Sequence, residues 1–355
     1  MKIEIYKNDN IQPLCLDVEG TIEEAARIIR SHPGRTAIVV DEYKELIGLV
    51  TDTNIRMAIL SDRKLTDPLK YCMQTSPNFD REGKDPAHYM KIMIDSQLNE
   101  LPLVDENNII QGLACLEYRW EQEKEHPLVV LMAGGLGTRL SPLTDQMPKP
   151  MIDINGKPLL ERLLQQFKNF GFRNFAISVN YLPHVIEDYF GTGEEFGVSI
   201  RYIRETKKLG TAGCLSLIDV EDHTPVFIIN GDVLTNLDLR SMMNFHEAGN
   251  SQATIAVNTY SEQILYGVIS VKNNVVTKIE EKPIINFLAN SGIYIVKGQN
   301  LSLLKPNEYM DMPNFLNDMS KNSTEVRAFP IHEYWQDIGN TRDLEKARKD
   351  FSSGL

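Results

Sequence analysis

The segment 131–140, Leu-Met-Ala-Gly-Gly-Leu-Gly-Thr-Arg-Leu, constrains the fold of this chain more than any other stretch. It follows the apolar run 127–132, which predicts a buried strand that ends in a glycine-rich turn. The glycines would let backbone N–H groups approach an anion, and Arg139 adds a fixed positive charge beside them. A strand that leads into such a turn is typical of a phosphate-binding loop in an α/β protein.

Two better-known phosphate-binding motifs do not fit these residues. Thr138-Arg139 stands where a P-loop requires Gly-Lys-Ser/Thr, and Leu140 occupies the third glycine position of a dinucleotide fingerprint. A tight turn without a ligand is the alternative interpretation of the glycines alone. The sequence Pro-Lys-Pro at 148–150 favours ligand binding, because the prolines restrict the backbone and hold the Lys149 ammonium in a defined place.

Together, Gly-Gly-x-Gly-Thr-Arg-Leu and Pro-Lys-Pro resemble the signature of the sugar-1-phosphate nucleotidylyltransferases. The resemblance extends from about 128 to 343 and includes further motifs in the same order. These motifs are Asn-Gly-Asp at 230–232, Tyr-Gly-Val at 266–268, Glu-Lys-Pro at 281–283, Asn-Ser-Gly at 290–292 and Trp-Gln-Asp-Ile-Gly at 335–339. Taken singly, Asn-Gly-Asp would be interpreted as a turn, and the charged run 278–282 as a solvated surface.

The resemblance implies roles for individual residues. Arg139 would hold the β- and γ-phosphate oxygens of a nucleoside triphosphate, Lys149 would bridge its α-phosphate and the sugar phosphate, and Lys282 would bind the sugar phosphate. Asp232 and Asp337 would coordinate a Mg²⁺ cofactor. The remaining expected contacts are Leu131, Ala133, Gly134, Gly135, Gly137, Thr138, Glu205, Gly210 and Thr211 for the nucleotide, and Gly267, Glu281 and Asn290 for the sugar.

The predicted base is guanine, because Glu205 precedes the small-residue turn Leu-Gly-Thr-Ala-Gly at 209–213. The resemblance implies that members that use uracil or thymine carry Gln there. A carboxylate only accepts hydrogen bonds, whereas guanine offers two parallel donors, N1–H and the 2-amino group. The alternative is a surface glutamate in the charged run 204–208.

The first 120 residues contain a repeat. Val-Asp-Glu at 40–42 and at 104–106 are each followed at the same distance by a Gly-Leu pair, at 48–49 and at 112–113. Amphipathic helices are predicted before each hairpin, over 22–29 and 87–94. This layout resembles a tandem pair of CBS domains.

The CBS resemblance implies a cleft that takes an adenine nucleotide. Asn54 stands where that family has a ribose-binding Asp, and Cys115 and Tyr118 replace the Thr and Asp of the second copy. A packing or dimerisation module without a ligand is the alternative. We therefore expect a domain of residues 1–120 for regulation or oligomerisation, a charged linker over 117–126, and a catalytic domain of residues 127–355.

Strands and helices alternate in the second domain. Strands are predicted over 174–179, 198–204 and 225–229, and a helix carries the apolar stripe 159–167. Such alternation predicts an α/β fold with a doubly wound, mostly parallel sheet and a ligand at the carboxyl ends of its strands.

The composition excludes several classes of partner. A net charge of −12 over 355 residues argues against a general nucleic-acid or anionic-membrane surface. The four cysteines show no metal-ligand spacing, and no apolar run approaches the ~20 residues of a membrane span. We expect a cytoplasmic homo-oligomer whose substrates are GTP and a sugar 1-phosphate.

The predicted activity is the transfer of GMP to a sugar 1-phosphate with release of pyrophosphate. A CBS pair joined to these motifs is similar to the glucosamine-1-phosphate guanylyltransferases that open the bacterial legionaminic acid route. Within the same class, mannose- or heptose-1-phosphate guanylyltransferase is the alternative. A non-catalytic nucleotide sensor is the alternative from another class, and the presence of all five charged motif residues argues against it.

Overall fold

The computed structural model describes residues 2–32, 35–96, 98–117 and 127–352. The chain divides into two compact units, Met1–Glu121 and Gln122–Leu355. Most of the predicted charged linker, together with Tyr118, lies outside the described residues. No helix in the described ranges is long and apolar enough to cross a membrane.

The first unit contains two copies of a β-α-β-β arrangement. The strands form a three-stranded sheet, in the order β2-β3-β4, and a four-stranded sheet, in the order β1-β7-β6-β5. The elements are β1 (Lys2–Lys7), β2 (Cys15–Asp17), α1 (Ile22–Ser31), β3 (Thr36–Val40), β4 (Leu46–Thr51), α2 (Asp52–Leu60), β5 (Asp80–Arg81), α3 (Pro86–Asp95), β6 (Glu100–Val104) and β7 (Ile110–Glu117).

The strand register agrees with the predicted repeat. Val39 pairs with Gly48 in the first hairpin, and Leu103 pairs with Gly112 in the second. Each hairpin has its bulge at the same place, immediately before Val40 and Val104. The two copies therefore share backbone geometry as well as sequence spacing.

The second unit is built around a seven-stranded sheet in the order β12-β11-β8-β13-β18-β15-β19. Its elements are β8 (Leu128–Met132), β9 (Asp153–Ile154), β10 (Lys157–Pro158), α4 (Leu159–Asn169), β11 (Asn174–Val179), α5 (Pro183–Phe190), β12 (Ser199–Arg204), α6 (Gly210–Gly213), β13 (Pro225–Asn230), β14 (Val233–Thr235), α7 (Leu239–Ala248), β15 (Ala253–Gln263), β16 (Val268–Lys272), β17 (Val275–Glu280), β18 (Ile284–Lys297), α8 (Gly298–Leu301), α9 (Met312–Lys321), β19 (Val326–Ile331), β20 (Trp335–Asp337) and α10 (Thr341–Ser352).

The central strands of this sheet are parallel, as the sequence predicts. Strands β12, β11, β8 and β13 run parallel to one another, whereas β18 is antiparallel to both β13 and β15. The predicted strands over 174–179, 198–204 and 225–229 all form, and the apolar stripe of α4 is buried. The chain therefore has a mostly parallel α/β fold, preceded by CBS-like copies.

Helices cover both faces of the sheet, because successive buried side chains along its strands point to opposite faces. Val130 and Ile228 point to the face that packs against Phe315 of α9. On the opposite face, Phe167 of α4 makes an edge-to-face contact with Phe227 of β13, with the ring centroids 4.9 Å apart. A sheet buried on both sides leaves the carboxyl ends of its strands as the accessible edge for a ligand.

Candidate active site

The glycine-rich loop leaves the sheet at the carboxyl end of β8. Gly137 has a φ of +64°, and a Cβ there would lie 2.9 Å from Cβ of Lys149. A Cβ on Gly134 would lie 2.9 Å from Oε1 of Glu205, whereas one on Gly135 would have no neighbour within 4 Å. Gly134 and Gly137 therefore let the loop pack closely, and Gly135 leaves backbone open to a ligand.

Two carboxylates meet at the end of a short antiparallel ladder. Strands β14 and β20 pair Val233 with Asp337, and the Ile338 N–H donates to the Asp232 carbonyl oxygen at 3.0 Å. This ladder brings together two acids that are about a hundred residues apart in the sequence. The two predicted metal ligands therefore lie side by side.

Lys149 is buried between these carboxylates. Its Nζ lies 2.5 Å from Oδ2 of Asp232 and 4.0 Å from Oδ1 of Asp337, and only 8% of the residue is exposed. Burial raises the pKa of Asp337 and the charge of Asp232 raises it further, while Lys149 and Arg139 act in the opposite direction. The exposed Arg139 therefore also contributes its charge to this cluster.

The carboxylate pair fits a magnesium ion. Oδ1 of Asp337 is buried and has no hydrogen-bond partner within the described part of the chain. A buried carboxylate oxygen without a donor is costly unless a cation or water satisfies it. Carboxylate oxygens are the ligands that Mg²⁺ prefers. Asp232 and Asp337 are therefore the residues that would hold such an ion.

Lys149 and Asp232 open onto a cavity of about 400 Å³, here called the main cavity, whereas Asp337 and Arg139 are not among its lining residues. The cavity is lined both by residues that were expected to bind the nucleotide or metal or to act in catalysis, and by residues with no expected role. The expected members are Gly134, Gly135, Lys149, Glu205, Gly210, Thr211 and Asp232, and the additional members are Met132, Pro150, Lys208, Asn230, Tyr309 and Asp311.

Glu205 lines the main cavity with a fixed carboxylate. Its Oε1 accepts a hydrogen bond from the Ser178 hydroxyl at 2.5 Å, and its Oε2 accepts one from the Leu209 N–H at 3.1 Å. The backbone carbonyl of Glu205 accepts from Nδ2 of Asn180 at 3.0 Å. Each carboxylate oxygen retains one lone pair for a ligand, so the side chain is positioned but not saturated.

Other expected nucleotide residues do not line the main cavity. Leu131 and Ala133 are fully buried in the sheet core. Thr138 lines a neighbouring depression that also includes Thr144 and Tyr181. None of these three residues lines the main cavity, and neither does Gly137.

The expected sugar residues lie on an arm formed by residues 258–290, which extends beyond the central sheet. A Cβ on Gly267 would lie 3.0 Å from Oε2 of Glu281, so the two residues are neighbours, and Lys282 follows with a φ of +48°. Asn290 donates from Nδ2 to the Tyr294 hydroxyl at 2.7 Å. None of these expected sugar residues is among those that line the main cavity.

Two family models match the chain. The nucleotidyl transferase model matches residues 128–354, and the CBS domain model matches residues 9–61. The first match covers the whole seven-stranded sheet, and the second covers the first of the two β-α-β-β copies.

Individual relatives match the same part of the chain. A mannose-1-phosphate guanyltransferase of Pichia angusta is 32% identical over 239 residues, which are 64% of this chain and 62% of the relative. This chain thus spans less than two thirds of that relative's length.

Solved structures show the same fold. HddC from Yersinia pseudotuberculosis has a TM-score of 0.50 at 28% identity, over 63% of this chain and 99% of HddC. A Bacillus anthracis protein described as a putative glucose-1-phosphate thymidylyltransferase, solved with sucrose, has a TM-score of 0.52 at 23% identity. That structure covers 64% of this chain and is itself covered over 96%, and it shows the fold alone.

Proposed function

The chain belongs to the nucleotidyl transferase family, and from that premise we propose that it transfers GMP from GTP to a sugar 1-phosphate. The observation that carries the proposal is the buried Lys149, held between Asp232 and Asp337 at the edge of the main cavity. A lysine between two acids, next to an open glycine-rich loop, suits a site where two phosphate groups meet.

The proposed reaction is an in-line displacement at phosphorus. An oxygen of the sugar phosphate attacks the α-phosphorus of GTP, the bond from that phosphorus to the bridging oxygen breaks, and pyrophosphate leaves with the electron pair. The attacking phosphate is already ionised, so the protein needs neither a nucleophile nor a general base. Catalysis then consists of positioning and of neutralising charge.

The residues of the chain divide this work. Lys149 neutralises the α-phosphate and the incoming sugar phosphate, and Arg139 binds the phosphates that leave as pyrophosphate. Asp232 and Asp337 would hold Mg²⁺, which when bound supplies positive charge to the phosphate oxygens. Lys282 and Glu281, on the arm, bind the phosphate and a hydroxyl of the sugar.

The choice of guanine follows from Glu205. Its two oxygens each have one lone pair free and are held in place by Ser178 and Leu209. That arrangement matches the two parallel donors of guanine, and it would leave a carboxylate oxygen without a partner against uracil.

The sugar is proposed at the level of class, as a hexose or heptose 1-phosphate. The motif resemblance favours glucosamine 1-phosphate, as in the legionaminic acid route, and the name of the Pichia angusta relative favours mannose 1-phosphate equally. The two sugars differ at C2 in configuration and in the amino group. A direct comparison of their kcat/KM values therefore decides between them.

The first unit is proposed as a non-catalytic module, with an adenine nucleotide as its candidate ligand. Asn54, at the ribose-binding position of the CBS resemblance, forms a capping box with Thr51. Its Oδ1 accepts from the Thr51 N–H at 2.9 Å, and Oγ1 of Thr51 accepts from the Asn54 N–H at 3.4 Å. This role at the helix start supports the ligand-free alternative.

The test is pyrophosphate release from the full chain, with four nucleoside triphosphates and a panel of hexose and heptose 1-phosphates. We expect GTP to exceed UTP and dTTP by at least about tenfold in kcat/KM, a difference of about 1.4 kcal/mol. Glu205→Gln should reduce this preference. Glu187→Gln is the matched control, because Glu187 pairs with Arg204 on the surface at 2.8 Å. Equal use of UTP, or no pyrophosphate with any pair of substrates, would contradict the proposal.

A further inference from the structure

The main cavity has a wall that no motif predicted. The segment 305–311, here called the covering segment, lies against the glycine turn that follows Glu205. Met310 donates its N–H to the Leu209 carbonyl at 2.8 Å, and its carbonyl accepts from the N–H groups of Ala212 and Gly213, both at 2.9 Å. The contact is close, because a Cβ on Gly210 would lie 2.5 Å from the Met310 oxygen.

This contact places the two neighbours of Met310, Tyr309 and Asp311, on the cavity wall. Tyr309 is 52% exposed, and its hydroxyl donates to Oδ2 of Asp311 at 2.6 Å. The Lys208 ammonium lies 5.8 Å from the centroid of the Tyr309 ring. The wall therefore presents an accessible aromatic ring with a positive charge over one of its faces.

Asp311 is diverted from the role that its sequence position predicts. It occupies the N-cap position of α9, where an Asp side chain normally accepts from the first helical N–H groups. Its Oδ1 instead accepts from the Thr211 N–H at 3.3 Å, and Oγ1 of Thr211 accepts from the Met312 N–H at the helix start. The hydroxyl of Thr211 thus replaces the cap, and the Asp311 carboxylate is left to hold the Tyr309 ring.

We propose that Tyr309 stacks on the base of the nucleoside triphosphate and that Asp311 is the positioning residue for its ring. The ligand chemistry follows from the wall, since a flat ring that carries phosphates matches an exposed aromatic next to Lys208. Attachment to the turn beside Glu205 assigns the ring to the base rather than the sugar, because the expected sugar residues lie on the arm. Glu205 reads the edge of the base and Tyr309 covers its face. This inference rests on the proposed function.

Replacement of the ring separates stacking from other roles. In the full chain, Tyr309→Leu should raise the KM for GTP about tenfold, with kcat and the KM for the sugar 1-phosphate changed less than about twofold. Tyr309→Phe retains the ring and should stay within about threefold of the unmodified chain. Asp311→Ala should give an intermediate KM for GTP, and Asp311→Asn, which can still accept the hydroxyl hydrogen, should restore it.

Tyr260→Leu is the matched control. Its hydroxyl donates to Oε2 of Glu262 two residues along the chain at 3.0 Å, and it is 56% exposed, but it lies on the arm. This control should leave the KM for GTP unchanged. A rise in the KM for the sugar 1-phosphate alone in Tyr309→Leu would overturn the proposal, as would an unchanged KM for GTP.

Calorimetric titration of the full chain with GTP and Mg²⁺, without a sugar phosphate, keeps the inference independent of turnover. Weaker GTP binding by Tyr309→Leu but not by Tyr260→Leu supports stacking, even if no nucleotide sugar forms. In that case only the proposed function would fail. If the nucleotide sugar forms but the dissociation constant for GTP is the same in both variants, the stacking inference alone fails.

Discussion

At the scale of single residues, the charge cluster is the most specific feature of the chain. Lys149 is almost completely buried, yet it faces two carboxylates, one of which has a buried oxygen that accepts no hydrogen bond within the described ranges. Buried charges that are only partly satisfied lower stability, and they are retained where function needs them. We therefore expect the cluster to have a chemical role rather than a structural one.

We expect Lys149→Ala, Asp232→Asn and Asp337→Asn each to lower kcat by about 10²–10³, because each removes charge that acts mainly in the transition state. Pyrophosphate release at saturating substrates measures the loss, and circular dichroism confirms that the variants fold. Lys157→Ala is the control, because Lys157 does not line the main cavity and its Nζ lies 2.7 Å from Oε1 of Glu161. Near-normal kcat in all three variants would rule out the site.

The sequence identified this cluster because each member belongs to a short motif. Asp232 and Asp337 follow apolar or aromatic strand residues, and Lys149 stands between two prolines. Tyr309 and Asp311 could not be found in this way. They reach the cavity through a hydrogen bond between residues 100 positions apart, from Thr211 to Asp311, and single-sequence patterns do not record such pairings.

At the scale of elements, the glycines of the turn 209–213 have a packing role that the sequence pattern does not show. In the structure, a Cβ on Gly210 would meet the Met310 oxygen at 2.5 Å, and one on Gly213 would meet the Glu308 oxygen at the same distance. The glycines admit the covering segment, which then forms the cavity wall.

Gly210→Ala should therefore displace the covering segment and raise the KM for GTP at least about fivefold, with a loss of stability of about 1–3 kcal/mol from overpacking. Gly83→Ala is a close control, since Gly83 has a φ of +85° against +79° for Gly210, and a Cβ there would have no neighbour within 4 Å. Both variants carry the backbone strain of a left-handed alanine. An equal KM in the two would show that the covering segment has no part in binding.

A second element, α7, is joined to the sheet by a buried histidine. His246 is 1% exposed, and its Nδ1 lies 2.9 Å from the hydroxyl of Thr254 in β15. Burial, together with the smaller effect of the Lys297 charge, lowers the pKa of His246 to about 4. The folded state thus holds this side chain neutral where an unfolded histidine, with a pKa near 6.5, is already protonated.

This difference in pKa between the folded and unfolded states makes the stability of the protein depend on pH. The contribution of neutral His246 to the free energy of unfolding is complete above about pH 6.5 and is lost as the pH falls towards 4. The loss is up to about 1.4 kcal/mol per pH unit, because only the unfolded chain takes up the proton in this range. Urea unfolding of His246→Gln between pH 4 and 6.5 should show a shallower loss than the unmodified chain. His223→Gln, at an exposed position, should keep the original slope. Parallel slopes for the unmodified chain and His246→Gln would refute the assignment.

At the scale of the whole molecule, the sequence predicted the architecture more completely than the site. Periodicity located the strands of the second unit, and the spacing between Gly48 and Gly112 anticipated paired hairpins with equivalent registers. It did not predict that β18 reverses direction between β13 and β15. Strand direction depends on chain connections, and local apolar patterns do not record them.

Each unit has hydrophobic clusters of its own among the described residues. Ile38 and Val40 of the first copy pack with Val104 and Leu113 of the second in one cluster, so the two β-α-β-β copies share a core. A cluster in the second unit consists only of residues from 128 onwards. A unit with its own core is expected to fold alone.

Removal of residues 1–121 should therefore leave a folded chain that releases pyrophosphate with a kcat within about threefold of the full chain. The catalytic charges, the glycine-rich loop and the covering segment all remain in the shortened chain, and Lys149→Ala in the same background gives the low-activity reference.

Thermal melts with AMP or ATP test the removed unit, because a ligand that binds only the folded state must raise its apparent stability. An increase in the full chain that disappears on truncation would identify an adenine-nucleotide site in the first unit. No increase in either chain would favour the packing module, in keeping with the use of Asn54 as a helix cap. Loss of all activity on truncation would instead show that the second unit needs the first to complete its site.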